Sequence, residues 1–176
     1  MKAIDTIINE AQAKGLPFLI IGGQAVALHG HPRMTYDIDF VVLLSDLVRW
    51  RSLLFKHGYR TFRAEVSFEQ LKHIDGDIPI DLMLANDSTF SKLAAESMEK
   101  DWAETRIRVP APLHLIAMKL HSLKQKHRFS KDFPDVVELM RIHKLDFHSL
   151  EFQAILDRHA SPDIRALLET KTQSLQ

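Results

Sequence analysis

Residues 33–42 read RMTYDIDFVV. Arg33, Thr35, Asp37 and Asp39 take every second place, with Met34, Tyr36, Ile38 and Phe40 between them. Successive side chains of an extended chain point to opposite faces, so this spacing predicts a strand with one polar and one apolar face, running on through residue 44. Two aspartates stand side by side on the polar face. At about 4 Å and an effective dielectric near 20, two such charges repel by roughly 4 kcal/mol. Solvent, an arginine or a divalent cation can relieve that repulsion. Alpha carbons two residues apart on a strand are separated by about 6.6 Å, and side chains leaning together from there can share an ion held at ~2.1 Å. On Asp-x-Asp alone, a solvated strand end is the better explanation of the pair.

A second stretch shifts that balance. In IPIDLMLA, residues 78–85, Asp81 is a lone carboxylate in what reads as a buried strand, where an isolated charge is heavily penalised. Pairing with a base such as Arg33 would answer the penalty. A neighbouring strand that aims Asp81 at the same point as Asp37 and Asp39 would answer both puzzles with one or two metal ions. Upstream, the apolar run LPFLII ends at Gly22 and Gly23, a strand-to-helix turn where backbone N–H groups can face an anion. A glycine turn for phosphates, a carboxylate pair for metal and a third carboxylate as base together describe phosphoryl-type transfer.

The rest of the chain supplies a frame. Ile4, Ile7, Ile8 and Ala11 have helical spacing, with Gly15 as the stop. A short helix over QAVALHG follows the glycine pair, and Ser45 is the expected N-cap of a helix carrying Trp50, Leu53 and Leu54. YRTFRAE (59–65) and residues 77–85 read as further strands, 88–100 as a helix, and TRIRVPAP (105–112) as a short edge strand. Pro110 and Pro112 then introduce a helix of about fourteen residues, and everything after it is helical in pattern. Strands interleaved with helices, then helices alone, indicate an α+β or α/β sheet domain with a helical C-terminal tail. We place the division at residue 110, with a core over 1–109 and a helical region over 110–176.

The spacing Gly-Gly, thirteen residues, Asp-Ile-Asp resembles the nucleotidyltransferase superfamily, with its polymerase-β-like fold. The longer GGQAVALHGHPRMTYDIDFVV (22–42) is similar to the branch that includes the AbiEii-type toxins of type IV toxin–antitoxin systems. Lys119, Arg128 and KDFPD (131–135) match a basic helix and Lys-Asp-x-x-Asp segment that recur there. The resemblance spans about residues 17–140. It implies a small mixed sheet flanked by helices, with Asp37 and Asp39 holding Mg²⁺ or Mn²⁺ and Asp81 completing the metal site and activating the attacking hydroxyl. Gly22 and Gly23 would cradle the triphosphate. Many members carry Gly-Ser where this chain has Gly22-Gly23, so Gly23 can offer only its backbone N–H.

Other candidates keep two readings each. Arg33 could meet nucleotide or neutralise Asp37, and Thr35, on the same face, could steady the turn beside the nucleotide. Lys119, in the apolar LIAMKLHSL, either snorkels to the surface or reaches a triphosphate. Lys131 and Asp132 could orient the nucleotide, while Ser130 with Asp132 and Asp135 also reads as a capped helix start. His29 and His31, and His114 and His121 at helical spacing, are expected to be structural or surface residues.

Composition narrows the function. The chain has 176 residues, with 23 basic against 23 acidic side chains and no cysteine, so disulfides, thiolate metal sites and a cysteine nucleophile are excluded. No apolar run suits a membrane span or a signal peptide, and the expected location is cytoplasmic. Balanced charge does not advertise a broad nucleic-acid grip, although 119–131 holds five Lys or Arg, two His and no acid before Asp132. The expected activity is Mg²⁺-dependent transfer of an NMP from an NTP to an acceptor hydroxyl on RNA, protein or a small molecule. A toxin-like role would add an antitoxin protein as partner. The alternative is a nucleotide-binding regulatory module without turnover, acting through a partner protein.

Overall fold

The computed structural model describes residues 2–173. The chain divides into two compact units: residues up to Ala25 with Met34–Pro110, and Val26–Arg33 with the residues from Ala111 onward.

The first unit begins with α1 (Lys2–Ala13), which ends where Gly15 adopts φ +60°. Leu16 N–H donates to Ala11 C=O and Gly15 N–H to Gln12 C=O, the glycine-terminated helix stop that the spacing predicts. There follow β1 (Phe18–Ile20), α2 (Gly22–Leu28), β2 (Ile38–Leu43), α3 (Leu47–Lys56), β3 (Tyr59–Glu65), β4 (Phe68–His73), β5 (Ile80–Ala85), α4 (Asp87–Ala95), β6 (Met98–Trp102) and β7 (Thr105–Val109). Residues 26–28 of α2 already belong to the second unit. The described residues form a five-stranded sheet in the order β1-β2-β5-β4-β3, in which β2 and β5 run parallel and the other pairs antiparallel. Phe18, Phe40 and Trp50 meet edge-on or tilted, with centroids 5.5–5.8 Å apart. They join Ile4, Ile7, Ile8, Leu53 and Leu54 in the buried core. The β6–β7 hairpin is tied to α1, since Trp102 Nε1 donates to Asp5 Oδ1 at 2.8 Å and Gln12 Nε2 to the Arg106 carbonyl at 2.6 Å.

The second unit contains α5 (Pro112–Ser122), α6 (Phe129–Ile142), α7 (Leu150–His159) and α8 (Pro162–Gln173). Leu115, Ile116 and Leu120 of α5, Val136, Leu139 and Met140 of α6, and Phe152 and Leu156 of α7 form its apolar interior. His29 Nδ1 lies 3.0 Å from His143 Nε2. No helix among the described residues is long and apolar enough to cross a membrane.

Several local expectations are corrected. Strand β2 begins at Ile38, not at Arg33, because pairing begins there, opposite Ile80, with Ile38 N–H bonded to the Pro79 carbonyl. Met34 and Tyr36 are accordingly 74% and 72% exposed. Ser45 lies inside a 3₁₀ turn (Leu44–Asp46), and Asp46 precedes α3 without a side-chain cap. Strand β4 escaped the pattern because its inward face carries a charge: Glu69 is 1% exposed and held by Arg51 Nη2 at 2.8 Å. Residues 98–100 are strand, not helix, because β7 pairs with them from Met98↔Val109 to Trp102↔Thr105. Helix α5 stops at Ser122, short of residue 126. Helix α6 starts at Phe129, so Ser130 is not its cap.

Candidate active site

Asp39 and Asp81 are direct neighbours across the parallel β2–β5 pair. Parallel strands in register place such side chains on the same face of the sheet, about 4.8 Å apart at the backbone. Asp37, one residue before β2, turns its carboxylate to the same point. One oxygen from each of the three carboxylates lies within 4.8 Å of the others, and all three residues are half-buried. Asp37, Asp39 and Asp81 are thus brought together as the sequence led us to expect.

The surroundings fit these carboxylates closely. Gly22 has φ +65°, and a Cβ built there would sit 1.8 Å from Asp39 Oδ2 and 2.6 Å from its Cγ. Glycine is therefore required twice, for its backbone conformation and for the space Asp39 occupies. Gly23 follows in the first turn of α2. Thr35 Oγ1 donates to Asp37 Oδ1 at 2.7 Å and to the Asp37 carbonyl at 3.2 Å, which steadies the turn into β2. Gln70, opposite Asp81 in the β4–β5 register, donates Nε2–H to Asp81 Oδ1 at 3.0 Å.

Three carboxylates this close repel one another unless a cation lies between them. The donors are hard oxygens without sulfur or imidazole, a set that suits Mg²⁺ or Mn²⁺ better than a softer metal. The absence of a Cβ at Gly22 leaves Asp39 its place in that set. The cluster could therefore hold a divalent ion.

The remaining candidates meet in the second unit. Arg33 Nε and Nη2 reach Asp135 Oδ1 and Oδ2 at 2.8 and 3.0 Å. Lys119 is 4% exposed and lies 2.8 Å from both Asp132 Oδ1 and Asp135 Oδ2, so it does not snorkel to the surface. Asp132 Oδ2 also accepts from Arg128 Nε at 2.9 Å and from Ser122 Oγ. Burial pushes the Asp132 carboxyl up, but the Lys119 charge and hydrogen bond, with Ser122 and Arg128, outweigh it and leave it below its ordinary value. Asp132 does lie in the first turn of α6, near its positive end as the sequence suggested, and both Asp132 and Asp135 are buried ion-pair partners. Lys131 is exposed. His29 is buried against His143, a structural role as expected. Sequence reasoning missed Gln70, whose signal was the weak Phe68-Gln70-Lys72 alternation around a buried glutamate.

No family model and no curated protein sequence matches the chain. Solved structures do. The antibiotic-resistance factor ANT(2'')-Ia in solution superposes with a TM-score of 0.67 at 15% identity, over 99% of this chain and 93% of that one. The fold is that of the nucleotidyltransferases. The lincosamide antibiotic adenylyltransferase LnuA, bound to lincomycin, gives 0.60 at 17% identity over 80% of this chain and 96% of its own. A nucleotidyltransferase-like protein from Paracoccidioides brasiliensis gives 0.58 at 16% identity over 96% and 91%.

Proposed function

We propose that this chain is a divalent-metal-dependent nucleotidyltransferase that moves an NMP from an NTP to an acceptor hydroxyl. The observation that carries the reading is the convergence of Asp37, Asp39 and Asp81 within 4.8 Å at the β2–β5 register, on a nucleotidyltransferase fold. Asp37, Asp39 and Asp81 hold the Mg²⁺ or Mn²⁺. When bound, the ion offsets negative charge on the triphosphate and on the entering and leaving oxygens. Asp81 takes the proton of the acceptor hydroxyl as its oxygen bonds to the α-phosphorus. The bond from that phosphorus to the bridging oxygen breaks, and pyrophosphate leaves. Gly22 and Gly23 contribute backbone N–H groups to the β and γ phosphates, and Thr35 holds Asp37 in place. Within the second unit, Lys119, shared between Asp132 and Asp135, holds α5 against α6.

For the acceptor we favour a macromolecular hydroxyl, on RNA or protein, in a toxin-like enzyme with a cognate antitoxin protein. The similarity of residues 22–42 to the AbiEii-type branch supports this reading, as do the exposed Lys124, Lys126 and Lys131. A small-molecule acceptor is the second reading, favoured by the lincosamide antibiotic adenylyltransferase LnuA and by ANT(2'')-Ia in complex with adenylyl-2''-tobramycin, both of the same fold. One experiment separates them. Purified protein is incubated with each α-³²P-labelled NTP and Mg²⁺, in turn with total cellular RNA, total cellular protein, an aminoglycoside and a lincosamide, beside Asp39→Asn. Label on one acceptor only with Asp39 intact supports transfer and identifies the acceptor. NTP bound without label on any acceptor would instead indicate the regulatory module. Neither binding nor label would overturn the metal-site reading.

A further inference from the structure

Asp81 depends on a neighbour that brings no charge. Gln70 stands opposite it on β4, and its Nε2–H donates to Asp81 Oδ1 at 3.0 Å. An ionised carboxylate only accepts hydrogen bonds, so the amide must present its NH₂ and not its oxygen to Asp81. We infer that Gln70 is a positioning residue for metal binding, which fixes the plane of the Asp81 carboxylate beside Asp37 and Asp39. The inference rests on the proposed metal role of Asp81.

Three physical points carry it. The terminal torsion of an aspartate is broad and nearly two-fold, so Asp81 has no intrinsic reason to keep one oxygen toward Asp39. A hydrogen bond to one oxygen removes that freedom, as outer partners of metal ligands commonly do. A carboxamide also leaves the carboxylate charge whole, whereas a lysine or arginine in its place would compete with the metal for the same oxygens. Finally, the register that faces Gln70 toward Asp81 is pinned from the opposite side of β4. Glu69, one residue earlier, is buried with Arg51 Nε at 2.9 and 3.1 Å from its two oxygens, and it accepts from Thr61 Oγ1. A one-residue slip would bury Gln70 and expose Glu69, at the cost of breaking that pair. The charged residue on the inward face of β4 therefore locks the amide into the row Asp39–Asp81–Gln70.

The test is Mn²⁺ binding to the purified full chain, followed by the EPR signal of free Mn²⁺, for wild type, Gln70→Leu, Gln70→Lys and Asp81→Asn. Circular dichroism checks folding of each variant. Leucine matches glutamine in bulk but cannot donate, so a packing role alone would survive it. The expected result is a loss of Mn²⁺ affinity of about 10- to 100-fold in Gln70→Leu, and a larger loss in Gln70→Lys. With a labelled acceptor in hand, kcat falls in Gln70→Leu while KM for the NTP is kept. Unchanged Mn²⁺ affinity in folded Gln70→Leu, beside a loss in Asp81→Asn, would overturn the role of Gln70 and leave the function standing. Mn²⁺ binding by Gln70→Lys as tight as that of wild type would overturn that role equally. A wild-type chain that binds no Mn²⁺ would overturn the metal site, and the role of Gln70 with it.

Discussion

Alanine at position 22 would place a methyl carbon 1.8 Å from Asp39 Oδ2, where real Cβ contacts essentially never fall below 3.0 Å. The carboxylate must then retreat by at least about 1.2 Å, and Asp39 leaves its place beside Asp81. Misplacing a reacting group by ~1 Å can cost about 100-fold in rate, so Gly22→Ala is expected to lower turnover by that order and to weaken Mn²⁺ binding. A second cost comes from the backbone. Gly22 has φ +65°, and a side chain in the left-handed region costs roughly 1–2 kcal/mol. For a chain of this size, each kcal/mol lowers the melting temperature by about 2–4 °C. Gly15→Ala separates the two costs, since Gly15 has nearly the same φ, +60°, but nothing within 4 Å of its Cβ. Both variants should lose similar backbone stability, and only Gly22→Ala should lose metal affinity. The assay is thermal unfolding by circular dichroism together with Mn²⁺ titration on wild type and both variants. Equal Mn²⁺ affinity in Gly22→Ala and Gly15→Ala would refute the argument that glycine is there to make room for Asp39.

Lys119→Ala leaves Asp132 and Asp135 buried with one shared cation removed, and urea denaturation should show a loss of about 3–5 kcal/mol, the usual cost of breaking a buried pair. The folded-state pKa of Asp132 is lowered, so its ionic contribution is fully present above the unfolded carboxylate value and is lost as pH falls through the folded one. Stability measured against pH should therefore fall on the acid side in wild type, and less steeply in Asp132→Asn. Burial first, and the Asp77 charge second, push the Tyr59 phenol up to about 12. Its contribution to stability holds below the ordinary value of about 10 and is lost as pH rises through 12. Absorbance at the tyrosinate band in a Tyr36→Phe background, where Tyr59 is the single phenol, should rise near pH 12. Ala103 occupies φ +49° in the turn between β6 and β7. Ala103→Gly should stabilise the chain by about 0.5–1 kcal/mol, the left-handed strain relieved less the entropy glycine adds, read as a small rise in melting temperature.

The chain's local pattern was sufficient for the parts whose physics is local. The helical spacing of Ile4, Ile7, Ile8 and Ala11 and the stop at Gly15 appear where the pattern puts them, and the strands at 18–20, 59–65 and 80–85 lie within the runs read at 16–21, 59–65 and 77–85. Asp37, Asp39 and Asp81 gather as the paired aspartates and the lone charge in an apolar strand led us to expect. Tertiary structure alone decided the rest, since each remaining feature depends on a group distant in sequence. Residues 33–37 alternate like a strand, yet extended pairing starts only at Ile38, opposite Ile80. Residues 98–102 are too polar to read as a strand and become one because β7 supplies their hydrogen-bond partners. Glu69 is neutralised inside the core by Arg51 from α3, and that buried charge hid β4 and Gln70 with it. Arg33 and Lys119 carried no sign that both would meet Asp135, 102 and 16 positions away. Hydrophobic periodicity reports which face of a segment turns inward, but the identity of the group that satisfies a buried charge or a strand edge is set only when the chain folds back on itself.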